Sequence, residues 1–229
     1  MKKNKKQSIL GVVAHPDDEA LGLGGTLIKH VEQGDDVNIV IFSLGETSKL
    51  SKNINSARRL KSAKEWSKRA GSNIYSILDY PDQKLDTIPK LEIIQILEKI
   101  LKTLRPDILY THHDGDINHD HQIVSHAILT ALRPMNAIGL KPEIRTFETV
   151  SSTEQAPYTD RYVFKPNFYV NIDDVWEKKI KALEAYKSEL GSYPHPRSIK
   201  SLEALAIKRG VESGLSKAEA FCIIRKIWQ

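Results

Sequence analysis

The sequence predicts an α/β fold, with a mostly parallel sheet, helices on both faces and a less regular C-terminal portion. Two observations carry this. Short apolar runs alternate with longer amphipathic stretches through residues 8–132, the pattern of strands joined by helical crossovers. The polar clusters follow those apolar runs rather than interrupt them, as expected where ligands bind beyond the C-terminal ends of parallel strands.

Residues 8–14 form a nearly continuous apolar run, as a strand buried on both faces requires. Residues 18–33 read as a helix, with Gly34 as its stop. Residues 37–44 are a second strand, and residues 56–70 a basic, partly amphipathic helix ending at Gly71. A third strand follows at residues 73–78. Leu91, Ile94, Leu97, Leu101 and Leu104 recur at helical spacing, with Ile93, Ile96 and Ile100 widening the stripe. Pro106 closes that helix, residues 107–111 form a fourth strand, and residues 120–132 are helical again. Beyond this, residues 145–150 and 168–172 are strand-like and 175–189 helical. Residues 191–197 are turn-rich, 199–213 helical and 220–227 strand-like. The expected architecture is one Rossmann-like domain over residues 1–229. Its first half spans residues 1–135, and residues 136–229 are expected to shape substrate choice. Chemistry should then sit just after Ala14, Leu44, Leu78 and Thr111.

Composition narrows the function classes. Hydrophobic residues make up 40% and charged residues 28% of the 229, as in ordinary globular proteins. No apolar stretch is long enough to span a bilayer. The basic stretch from Met1 to Lys6 is followed by neither the apolar region nor the cleavage site of a signal peptide, so it is read as a frayed cytoplasmic N-terminus. One cysteine, Cys222, excludes an internal disulfide and a Cys-rich zinc site; its apolar flanks suggest a buried strand residue. The net charge of +5 is spread along the chain without a basic face interleaved with aromatics. Nucleic acid is therefore not an expected partner, whereas a small anionic substrate fits. Gly22, Gly24 and Gly25 come several residues too late after the first strand to form a nucleotide-binding loop. His30 and His126 fall within helices and read as structural. The sequence is compatible with a homo-oligomer.

Two segments carry the chemistry. One is His15-Pro16-Asp17-Asp18-Glu19 and the other runs from His112 to His121, holding four of the eight histidines beside Asp114, Asp116 and Asp120. Catalytic zinc typically takes three His or carboxylate ligands and leaves one position for water. Two ligands from one strand end and a third from another would meet that count. Each segment also has a plainer reading. Asp17 or Asp18 would cap the first helix, and Asn118 or Asp120 the helix after the fourth strand. The topology brings both segments to one sheet edge, which favours the metal.

The hexapeptide from Ala14 to Glu19 and the later Asp120-His121 resemble motifs of the PIG-L/LmbE family of zinc-dependent N-deacetylases, which act on N-acetylglucosamine derivatives. Tyr80-Pro81-Asp82, Arg105-Pro106-Asp107 and Ala218-Glu219-Ala220-Phe221 extend the resemblance over nearly the whole chain. It implies an LmbE-like fold, His15, Asp18 and His121 as metal ligands, and one Zn2+ per chain; Fe2+ or Co2+ would suit the same donors. It also implies Asp17 as the general base that activates water for attack on an acetamide. The implied substrate is an N-acetyl sugar, sugar nucleotide or glycoconjugate.

One departure stands out. Relatives carry a histidine three residues before the last ligand, where this chain has Asn118. Asn118 can donate a hydrogen bond to an oxyanion but carries no charge. His195, within Tyr193-Pro194-His195-Pro196-Arg197, is the alternative imidazole, and Asp120 would orient such a histidine. Candidate substrate contacts are Arg58 or Arg59 for a phosphate, Asp82 and Asp86 for hydroxyls, and His113 with His112 lining the pocket. Two rival functions remain. One is a phosphoesterase-like hydrolase with a second metal on His112, His113, Asp114 and Asp116. The other is an inactive sugar-binding module, against which the intact Asp17 argues.

Overall fold

The computed structural model describes residues 5–44, 56–135 and 137–228. Most of the expected frayed N-terminus and the segment just after Leu44, where the sequence predicts chemistry, lie outside them. The first half runs β1 (Ser8–Val13), α1 (Asp18–Glu32), β2 (Asp36–Ser43), α2 (Ser56–Ala70), β3 (Asn73–Tyr80), α3 (Lys90–Leu104), β4 (Ile108–His112) and α4 (His119–Ala131). The second half adds β5 (Glu143–Phe147), β6 (Phe168–Asn171), α5 (Trp176–Leu183), α6 (Ile199–Ser213) and β7 (Ala218–Arg225).

The strands form one sheet in the order β3-β2-β1-β4-β5-β7-β6. The first five are parallel, and β7 lies antiparallel between β5 and β6. The chain starts at β1, moves outward to β3, then returns to place β4 on the other side of β1. That reversal opens a crevice at the C-terminal ends of β1 and β4, where ligands bind in open α/β sheets.

Alternation along the strands divides the core into two layers. Ile9 and Val13 of β1 pack with Leu27, Ile28, Trp66 and Leu183 on one face. Leu10 and Val12 pack with Leu97, Leu101, Val124 and Ile128 on the other. In α3 the buried stripe runs through Ile93, Leu97, Ile100 and Leu101. Leu91, in its first turn, is 64% exposed.

The C-terminal elements are tied to α1. That helix is interrupted at Leu23 (φ −142°), and a break in the ladder leaves backbone donors in need of partners. Glu219 of β7 accepts from the amides of Gly25 at 2.8 Å and Thr26 at 2.7 Å, and from Lys179 Nζ of α5 at 2.8 Å. Approach is close enough that a Cβ at position 25 would lie 2.8 Å from Ile172 Cγ2.

The structure departs from the sequence reading in three places. The helix expected over residues 175–189 ends as α5 at Leu183 and continues as a 3-10 run, Glu184–Glu189, broken at Tyr186 (φ −102°, ψ 26°). The break accompanies burial of Tyr186, whose hydroxyl donates to Glu19. The strand expected to reach residue 150 stops at Phe147, because the amides of Ser152 and Thr153 turn back onto the Thr149 carbonyl. Cys222 does lie in a strand, but half-buried rather than buried, with Sγ 3.1 Å from the Lys165 carbonyl. Among the described residues no helix is long and apolar enough to cross a membrane.

Replacing Glu219 with Ala leaves the buried Lys179 ammonium without a carboxylate, on the Leu21 carbonyl alone, and two amides without their acceptor, so it should destabilise the fold by about 3–5 kcal/mol. Urea unfolding measures this; a change within about 0.5 kcal/mol, the range of ordinary surface substitutions, would refute the role.

Candidate metal centre

The crevice is built at the corner between β1 and α1. The Ala14 amide donates to His112 Nε2 at 2.9 Å, fastening this corner to the end of β4. The His15 amide donates to Asp18 Oδ2 at 2.9 Å. Asp17 occupies the N-cap position of α1 at φ 105°, ψ −30°, but its side chain caps nothing. On the other side of the crevice Asn118 caps α4, its Oδ1 accepting from the Asp120 amide at 2.9 Å. Asp120 is thereby left for another task.

Asp18 Oδ2 lies 3.4 Å from His15 Nδ1 and 3.3 Å from His121 Nε2, and all three residues are buried. Ligand atoms around a tetrahedral ion with bonds near 2.0–2.1 Å are separated by about 3.3 Å. His15, Asp18 and His121 therefore fit a divalent metal, and the hydrogen bonding supports this. Both ring nitrogens of His121 are buried without a hydrogen bond of acceptable geometry, although carboxylates stand close to each. A buried imidazole that lacks a hydrogen bond yet faces a carboxylate suits a metal ligand better than a structural histidine.

Carboxylates orient the two imidazoles from behind, as metal-binding histidines require. Asp116 Oδ2 lies 3.1 Å from His121 Nδ1. Burial pushes Asp116 up, but His121, Ser152 and the Asn118 amide outweigh it and hold the carboxyl at about 2. Asp120 Oδ2 is 3.0 Å from His15 Nε2 and also accepts from the Gln83 amide, while Oδ1 accepts from the Leu85 amide. Asp82 Oδ1 stands 3.1 Å from the same His15 nitrogen. Asp120 and Asp82 thus meet the histidine whose other ring nitrogen faces Asp18. A second group of metal-type donors among the described residues, His15, Asp82 and Asp120, reuses His15 and is already engaged in this bonding.

Asp17 faces a different way. Its Oδ2 accepts from Arg197 Nη1 at 2.7 Å and Arg59 Nη2 at 3.3 Å. No described residue donates to Oδ1. Burial raises this carboxyl, and Arg197 and Arg59 only partly offset it, leaving it at about 6. Burial likewise raises neighbouring Glu19 to about 8 despite the Tyr186 hydroxyl.

Several sequence candidates sit elsewhere. Arg58 is exposed, and Arg59 is the arginine that enters the site. The signal was present: Arg59 stands four residues before Ala63 and seven before Trp66, on the buried stripe of α2. His195 is exposed and its Nδ1 accepts from the Arg197 amide; the structure brings Arg197, not His195, to Asp17. His113 Nε2 lies 3.1 Å from the Tyr162 carbonyl. His112 stacks on His121 with ring centroids 3.8 Å apart, and burial, reinforced by His121, drives it down to about 3. Asp114 is exposed. The residues needed for a second, bridged metal are therefore not gathered together. Sequence reasoning also missed Asp116 as the partner of His121.

Residues 10–132 match the PIG-L family profile, described as GlcNAc-PI de-N-acetylase. The chain belongs to this family. Diacetylchitobiose deacetylase of Thermococcus kodakarensis is 27% identical over 240 residues, spanning 98% of this chain and 86% of its own. N,N'-diacetylchitobiose deacetylase of Pyrococcus horikoshii superposes with a TM-score of 0.75 at 25% identity, covering 94% of this chain and 83% of that one. A 4-oxalmesaconate hydratase of Pseudomonas putida is 24% identical over 223 residues, or 91% of this PIG-L chain and 81% of the hydratase. The fold is that of the LmbE-like deacetylases, and similar proteins carry names from two reaction classes.

The ligand set predicts a pH-linked response to metal. Burial opposes charge on His121, but Asp18 and Asp116 raise its imidazole to about 9 when no cation is present. That proton stabilises the metal-free fold fully below about pH 6.5, and the contribution is lost as pH rises through about 9. Zinc binding requires the proton to leave. The difference in Tm between zinc-loaded and chelator-treated protein should therefore widen from pH 6.5 to 9. A constant or narrowing difference would exclude His121 as a ligand.

Proposed function

We propose that this PIG-L family protein is a zinc-dependent N-deacetylase acting on the acetamide of an N-acetyl amino sugar or its conjugate. One observation carries the reading: a buried carboxylate, adjacent in sequence to a ligand of the metal cluster, has one oxygen held by two guanidiniums and the other without a donor among the described residues. Zinc on His15, Asp18 and His121 would supply Lewis acidity there, with Fe2+ or Co2+ suited to the same donors.

The protein's own residues then have distinct tasks. Asp17 Oδ1 takes a proton from the attacking water as oxygen adds to the amide carbonyl. As the C–N bond breaks, the same carboxyl returns that proton to the departing nitrogen, giving acetate and a free amine. A carboxyl near 6 is ionised at neutral pH yet can hold the proton between the two transfers. Asn118 uses Oδ1 for the helix cap, which leaves its Nδ2 to donate to the developing oxyanion. Asp116 and Asp120 fix His121 and His15 in the orientation their ligand atoms need.

The substrate class follows from shared chemistry. The family description and the two chitobiose-deacetylating relatives have an acetamido group on glucosamine in common. The hydratase relative makes the competing reaction concrete, because water addition to a double bond releases no acetate.

Acetate release from a panel of N-acetyl sugars and sugar nucleotides, with zinc and with chelator, tests the assignment. Chelator-sensitive acetate release is expected; phosphate release, or hydration without acetate, would overturn it. Asp17→Asn should lower kcat by about 10²–10⁴-fold with zinc content unchanged, and Asn118→Ala by about 10²-fold. Wild-type turnover in Asp17→Asn would rule out the mechanism.

A further inference from the structure

The loop before α6 lies outside the stretches that carry the family resemblance, yet it delivers a guanidinium to the candidate metal centre. Arg197 Nη1 donates to Asp17 Oδ2 and Nε to Ser151 Oγ, each at 2.7 Å. One planar group therefore spans the corner after β1 and the turn after β5.

The loop is shaped for this. The Arg197 amide donates to His195 Nδ1 at 3.0 Å, and the Ser198 amide to the His195 carbonyl at 2.9 Å. Ser198 Oγ caps α6 by accepting from the Ser201 amide. The His195 ring lies against Gly191 so closely that a Cβ there would be 2.4 Å from its Cγ. Arg59 adds a second guanidinium, which also holds the Pro16 carbonyl at 2.9 Å. With Oδ2 occupied from two sides, the Asp17 carboxylate is not free to rotate.

We propose that Arg197 is a positioning residue for the reaction. Anchored on Ser151, it turns the Asp17 carboxylate so that Oδ1 alone meets the reacting water. Its kinetic consequence rests on the deacetylase reading, but the pairing does not. Charge is only part of the role, because a lysine ammonium is a point donor and lacks the planar fork that reaches Asp17 and Ser151 together.

Two measurements on the full chain test this. In the metal-free protein, Arg197→Ala and Asp17→Ala should each raise amide hydrogen exchange across residues 191–198 several-fold, and the double variant no further. No change, or additive changes, would overturn the pairing. In the zinc-loaded protein, Arg197→Ala should lower kcat by about 10- to 100-fold, as misplacement of a catalytic group does, with KM within about twofold and zinc content unchanged. Arg197→Lys should recover part of the loss. Millimolar guanidinium should restore Arg197→Ala but not Asp17→Asn. A raised KM with unchanged kcat would make Arg197 a substrate contact and refute the proposal, as would wild-type kinetics. If the wild-type protein releases acetate from no acetamido sugar, the deacetylase reading falls while the exchange measurement still decides the pairing.

Discussion

The backbone at Asp17 is the constraint on which the rest of the centre depends. A non-glycine residue at φ 105° costs on the order of 1–3 kcal/mol and persists only where its surroundings over-determine it. Here they do. The amides of Ala20 and Leu21 donate to the Asp17 carbonyl, the Asp17 amide donates to Glu19, and Arg59 holds the preceding carbonyl. The turn lets two successive carboxylates face different partners, Asp17 two arginines and Asp18 three histidines. Glycine would relieve the strain and remove the carboxylate.

Concentrating acids at a buried corner is unfavourable unless each is answered separately. Asp116 is answered by two hydroxyls, an amide and His121, and stays ionised. Asp120 is answered by two amides and His15. Glu19 is driven toward its neutral form and shares its oxygens between Tyr186 and a backbone amide. His15 and His121 beside Asp18 are different: burial opposes charge on both, but without a cation the surrounding carboxylates outweigh it and raise both imidazoles, favouring a proton where a metal would otherwise sit. Proton and metal are thus alternative occupants of one electrostatic need.

How much of this was readable in sequence depended on chain separation. The β1–α1 corner is written in adjacent residues, so the donors His15 and Asp18 and the neighbouring Asp17 stand out as a motif, and His121 lies in a His-rich window. The first four strands are largely apolar runs whose helical connections are equally local. Arg59 and Arg197 reach Asp17 from 42 and 180 residues away, and contacts of that separation leave no spacing signature. Arg58 and Arg59 differ by one position, about 100° around a helix. Only the phase set by Ala63, Trp66 and Ala70 separates them, and the surrounding lysines and arginines obscure it. The helix read over residues 175–189 failed for a tertiary reason, since its periodicity says nothing of the Tyr186–Glu19 contact that breaks it.

The family profile ends at residue 132, while Ser152, Thr153, Tyr186 and Arg197 all lie beyond it and all touch the centre. The division is chemical as well as sequential. The first half holds the candidate metal donors, Asp17 and the residues Arg59, Asp82, Asp116 and Asp120 that face them; the second adds further contacts, Arg197 on Asp17, Ser152 and Thr153 on Asp116, and Tyr186 on Glu19. A metal beside a carboxylate can direct water to an amide carbonyl or to an activated double bond, so that pair alone does not choose between the reactions named for this protein's relatives. Amide cleavage additionally demands that the base return its proton to a nitrogen leaving from a defined direction. A freely rotating carboxylate satisfies that demand poorly. One with Oδ2 clamped keeps Oδ1 in a fixed position for both proton transfers. On the deacetylase reading, the clamp on Asp17 Oδ2 is therefore the feature of this site that suits amide cleavage.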